Sequence, residues 1–196
     1  MESLNKLQII ETLHSKHISL ITPKDYQRIF KIQNTNTAYK SLQRLRTCGL
    51  LDRIKDGLYL LKNSGLHDFT IANAIICPSY VSLESALSRY GILSQFPFTV
   101  TSITFKKSRE IQYIKTYEYT RVSPFLYFGF QKESGYLIAS PEKALIDMIY
   151  LCSKGLRKIS FTDLDYNVIN KTVFYKYCQK INNPQLNGFL KQVIHL

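Results

Sequence analysis

Between Asn34 and Lys55 the chain gathers amide, hydroxyl and basic side chains of the types that can contact bases and phosphates. Ala38, Leu42 and Leu45 recur at spacings of four and three, which predicts the inner stripe of a helix. Asn36, Thr37, Lys40, Gln43 and Arg44 then fall on the outer face. Asn or Gln can make paired hydrogen bonds to adenine and Arg to guanine. Thr can touch a thymine methyl, and Lys neutralises phosphate. Arg53 and Lys55 follow on a predicted hairpin, from which they would reach the adjacent backbone or minor groove. These seven residues are the candidate DNA-binding set. The plainer alternative is that Lys40, Arg44 and Arg46 only solvate an exposed helix face.

Other constellations are weaker. His14 and His17 lie three apart, but two ligands do not complete a metal site. Asp163 and Asp165 would share a face in a strand, yet no further acid or lysine is spaced to complete a nuclease site, and a turn is the simpler expectation. Glu142, Lys143 and Asp147 suggest acid–base work. Glu142 is also explained as a first-turn helix charge, and Lys143 and Asp147 as a pair one turn apart. No Ser/His/Asp set, Gly-rich phosphate loop or dinucleotide fingerprint occurs, so no enzyme, cofactor or metal is expected. Tyr113, Tyr117, Tyr119, Tyr127 and Phe128 could stack bases, but a packed face with an amphipathic rim is the expected role.

The charge balance agrees with a polyanionic partner. Lys and Arg total 26 against 14 acids, a net of +12. Residues 1–62 hold 11 basic and 5 acidic side chains, so half of that excess sits in under a third of the chain. No stretch approaches the roughly 20 apolar residues of a membrane span. The opening MESLNKLQIIETL also carries charges where a signal peptide would be apolar, which predicts a cytoplasmic location. Cys48, Cys77, Cys152 and Cys178 are far apart without a C-x-x-C pair, as expected of reduced structural thiols.

The elements that must position these residues follow from local pattern. Leu4, Leu7, Ile9, Ile10 and Leu13 predict a first helix over residues 4–13. Thr22 as a cap and Pro23 at the first helical position begin a second, running to about Phe30. Gln33 to Asn36 supplies caps for the third, which ends at Gly49. Two short apolar runs joined by Asp56-Gly57 predict a tight β-hairpin. Three helices and a hairpin are the order of a winged helix-turn-helix, placed at residues 1–65 after a polar stretch is allowed for at 62–68. Residues 66–196 form the second domain. Tyr80 to Tyr90 is expected as a helix capped near Ser79 or Ser82 and stopped by Gly91, and TVTSITF, IQYIKTYEYTRV, FLYFGF and YLIA as about four strands. Ser140-Pro141-Glu142 starts another helix, and Val168 to His195 reads as two helices split at Asn182-Asn183-Pro184. The expected fold class is α+β: an N-terminal winged helix-turn-helix, then a mixed α/β domain with a central sheet of about four strands and flanking helices.

The wording of the second domain carries a resemblance. Pro78-Ser79-Tyr80-Val81-Ser82-Leu83-Glu84-Ser85-Ala86-Leu87 is followed by Tyr90-Gly91, by Phe98-Thr99-Val100-Thr101 and by Ser140-Pro141-Glu142-Lys143-Ala144-Leu145-Ile146-Asp147. This order resembles the AbiEi-type antitoxin family over roughly residues 1–155. The resemblance implies a bacterial toxin–antitoxin (abortive-infection, antiviral defence) protein that represses its own operon. It would do so by binding double-stranded inverted-repeat operator DNA, with dimerisation there as an option. It also implies a C-terminal domain that counters a nucleotidyltransferase-like toxin, with or without direct contact. The alternative is an ordinary winged-helix transcriptional regulator whose C-terminal domain binds an effector or protein partner.

Overall fold

The computed structural model describes residues 5–193, with side chains described up to residue 190. Leu4 and His195, part of the predicted first and last helices, lie outside the described residues. The chain divides into two compact units, Met1–His67 and Asp68–Leu196.

In the first unit, α1 (Lys6–Ser15) begins on Asn5, whose side chain and Gln8 close a capping box. A short strand, β1 (Leu20–Ile21), precedes α2 (Pro23–Phe30). Thr22 caps α2, accepting from the Asp25 N–H while the Asp25 carboxylate accepts from the Thr22 N–H, and Pro23 opens the helix as predicted. Lys31 then turns left-handed at φ 53° and ends it. Next comes α3 (Thr35–Thr47), capped by Asn34, whose side chain accepts from the Asn36 N–H at 2.8 Å. The hairpin β2 (Leu51–Lys55) and β3 (Leu58–Leu61) follows, and β1 adds to the other edge of β3, giving a three-stranded sheet in the order β1-β3-β2. One core joins these pieces. Ile9 and Leu13 of α1, Tyr26 of α2, Ala38, Leu42 and Leu45 of α3, and Leu51, Tyr59 and Leu61 of the hairpin are all buried in it. Ala38 is wholly buried, and α3 packs against α2 there.

The second unit is built on a six-stranded mixed sheet, order β6-β7-β5-β4-β9-β8. Its strands are β4 (Tyr80–Val81), β5 (Val100–Thr104), β6 (Arg109–Gln112), β7 (Thr116–Arg121), β8 (Phe130–Glu133) and β9 (Tyr136–Ala139). Strand alternation sends successive side chains to opposite faces. Tyr117 and Tyr119 reach Asp68 and the Ala72 carbonyl of α4 (Asp68–Ile75). Glu118 and Thr120 of the same strand point the other way, to Arg157. On that second face α5 (Leu83–Arg89) packs against β5 and α6 (Pro141–Ser153), and α6 in turn packs against α7 (Lys171–Ile181) and α8 (Pro184–Val193). The two terminal helices divide at Asn182 to Pro184, where the composition predicted a break.

Three expectations for this unit need correction. The sheet has six strands, not about four: IQYIKTYEYTRV folds back on itself as β6 and β7, with Glu110 opposite Glu118, and Tyr80–Val81 adds β4. The predicted Tyr80–Tyr90 helix is therefore shorter, because α5 starts only at Leu83. Ser82 makes no side-chain cap there; its hydroxyl donates to Asp147 instead. FLYFGF is not a strand: Pro124–Leu126 forms a single 3-10 turn, and β8 begins at Phe130. Helix α4 was not foreseen at all. Among the described residues, no helix is long and apolar enough to cross a membrane.

Candidate nucleic-acid interface

Packing of Ala38, Leu42 and Leu45 into the core turns the polar residues of α3 outward, beside the hairpin. Together α3 and the hairpin bound a groove of roughly 700 Å3, lined by Tyr39, Lys40, Gln43 and Arg44 on one wall and by Arg53, Asp56, Gly57 and Tyr59 on the other. The turn that closes the second wall depends on Gly57, whose φ of +72° is a conformation that side chains with a Cβ resist. Only Gly57, not Asp56, takes positive φ, and the strand register shifts between Arg53 and Lys55. The Tyr39 hydroxyl stands 3.9 Å from where a Cβ on Gly57 would lie, so the helix and the turn meet at the groove's mouth.

Of the predicted set, Lys40, Gln43, Arg44 and Arg53 come together in this groove. Asn36 and Thr37 are exposed in the first turn of α3, and Lys55 is half-buried on β2; none of the three is among the groove's lining residues. The sequence reading missed Tyr39, which is 45% exposed, and Asp56 as a charged wall residue. Tyr39 follows the inward-facing Ala38, so helical spacing alone could have found it. Among the described residues, Lys40 and Arg44 form no ion pair, whereas Arg53 pairs with Asp56 across the turn. The groove therefore offers two uncompensated cations, one compensated cation, an amide and the exposed Tyr39 phenol. That set can neutralise phosphates and hydrogen-bond base edges.

The other candidates lie elsewhere. His14 and His17 are both exposed, and no group of three or more potential metal ligands occurs among the described residues. Asp163 ends a 3-10 turn and is not in a strand with Asp165. Tyr117 and Tyr119 are buried, and Tyr127 packs on Tyr80, Phe105 and Phe130, so these rings form packed interior rather than a stacking surface.

Lys143 and Asp147 form the predicted pair one turn apart, but the surroundings are unlike a surface helix pair. Their side chains are 0% and 2% exposed. The Asp147 carboxylate also accepts from the Tyr80 hydroxyl at 3.0 Å and from Ser82 Oγ at 2.8 Å. Burial first, and the Asp147 charge second, push the Tyr80 phenol well above its usual value, so it stays a donor. The Lys143 ammonium lies 4.9 Å from the Phe128 ring centroid, and its stem passes Gly129 so closely that a Cβ there would stand 3.0 Å from Lys143 Cγ. Glu142 does more than charge the start of α6: its carboxylate accepts the Asn170 N–H at 3.0 Å, at the cap of α7. Tyr80 and Ser82 are, like Lys143, wholly buried. Comparison of the chain with family models and with curated proteins finds no match.

Proposed function

We propose that the first unit is a winged helix-turn-helix module that binds double-stranded DNA, with α3 in the major groove and the β2–β3 hairpin as the wing. The observation that carries the reading is the open groove in which Lys40, Gln43, Arg44 and Arg53 converge. The order of three helices and a hairpin, and the basic excess of residues 1–62, support it. Lys40→Ala combined with Arg44→Ala is expected to weaken duplex binding about tenfold or more. The slope of log affinity against log salt should flatten by about one for each charge removed. Fluorescence polarisation on a duplex enriched from a random pool, run over a salt series, tests this; an unchanged slope and affinity would remove α3 as the reader.

For the whole chain we propose an antitoxin and autorepressor of a toxin–antitoxin operon, with the second unit countering a nucleotidyltransferase-like toxin. This part rests on the resemblance quoted above. Its motif residues Tyr80, Ser82, Lys143 and Asp147 form one buried network, which gives the quoted residues a structural role in this chain. Co-expression of the chain with a nucleotidyltransferase encoded beside it, scored by growth, is the test. An absence of protection would favour an ordinary regulator with an effector-binding second unit.

A further inference from the structure

Asp56 is the one acid among the residues lining the α3–hairpin groove. Its place in the turn does not explain its charge. Asn-Gly serves such a turn at least as well as Asp-Gly, because both side chains tolerate the geometry and Gly57 alone supplies the positive φ. The carboxylate instead holds the Arg53 guanidinium, three residues back across the turn. Asp56 is 88% exposed and Arg53 39% exposed at the side chain, so the pair is a solvated one that opens easily. It sits on the groove wall beside the Arg53 cation.

We propose that Asp56 is an internal counter-ion of this groove: it competes with DNA phosphate for Arg53 and so sets the affinity for any duplex below what the groove's cations would give. The proposal rests on the DNA-binding reading of the same groove. A phosphate that takes Arg53 must displace Asp56 and then lie near an uncompensated carboxylate. Lys40 and Arg44, which carry no such partner among the described residues, engage phosphate without that competition. Neutralising Asp56 therefore releases one cation to DNA and removes one repulsive charge.

The test compares the full-length parent with Asp56→Asn, which keeps the turn chemistry, and Asp56→Glu, which keeps the charge. Each is titrated by fluorescence polarisation against a short random-sequence duplex over a salt series. Asp56→Asn is expected to bind about three- to tenfold more tightly at moderate salt, with a log–log salt slope steeper by up to about one. Asp56→Glu should bind like the parent. In an Arg53→Ala background most of the gain from Asp56→Asn should vanish. Equal affinity and slope for Asp56→Asn and a DNA-binding parent would overturn the counter-ion and leave the DNA reading intact. A gain that persists undiminished without Arg53 would also overturn it, since the charge would then act on DNA directly. A parent that binds no duplex at any salt would remove the DNA reading and this proposal together.

Discussion

The two units treat charge in opposite ways. The first carries Lys40, Arg44 and Arg53 on the walls of an open groove, and its core is apolar apart from the Tyr26 and Tyr59 hydroxyls. The second buries Lys143, Asp147 and Glu142 and partly buries Arg157 between Glu84 and Glu118. Removing an ion from water costs several kcal/mol, and that cost is offset only by a close partner and a full set of hydrogen bonds. Asp147 has both: one cation and two hydroxyl donors. The contrast teaches that a charged residue is a candidate for binding where it is exposed and weakly compensated. Where it is buried and saturated, its first effect is on the stability of the fold.

The largest expected effect breaks the buried side of this comparison. Asp147→Ala leaves Lys143 without a counter-charge and strips Tyr80 and Ser82 of their acceptor, for a loss of about 3–5 kcal/mol. Hydrogen exchange followed by mass spectrometry should show protection lost across β4, α5 and α6 while α1 to α3 keep theirs. The double variant Lys143→Met with Asp147→Leu should cost less than Asp147→Ala, because it buries no lone charge. A double variant as damaged as the single would mean that shape, not charge, holds this region.

An intermediate effect probes the open side. Gly57→Val forces a β-branched residue into φ +72°, at a cost of about 1–3 kcal/mol to the hairpin. Duplex affinity should fall while exchange protection in the second unit is unchanged, and a variant that binds like its parent would show that the hairpin takes no part. The smallest effect sharpens the boundary between the units. Thr22→Ala removes the capping box of α2 and should cost about 1 kcal/mol. That loss should appear as faster exchange in α2 and α3 alone.

Much of the first unit was legible because its signals are local. The Thr22-Pro23 start, the Asn34 cap, the Ala38-Leu42-Leu45 stripe and the Asp56-Gly57 turn each act within a few residues, and the helices and strands formed where those signals stood. The second unit was less legible because its decisive partners are distant. Tyr80–Val81 is too short to announce a strand and becomes one by lying between β5 and β9. Ser82 looks like a helix cap and is recruited instead by Asp147, 65 residues away in sequence. The groove shows the same division. The amino-acid sequence by itself determined that α3 would present Lys40, Gln43 and Arg44 on one face, since helical period decides that wherever the opposite face is apolar. Only the tertiary structure decided that Arg53, Asp56 and Tyr39 share a groove with them, and that Lys143 and Asp147 are enclosed rather than exposed, because proximity and desolvation come from packing between elements that local pattern does not specify.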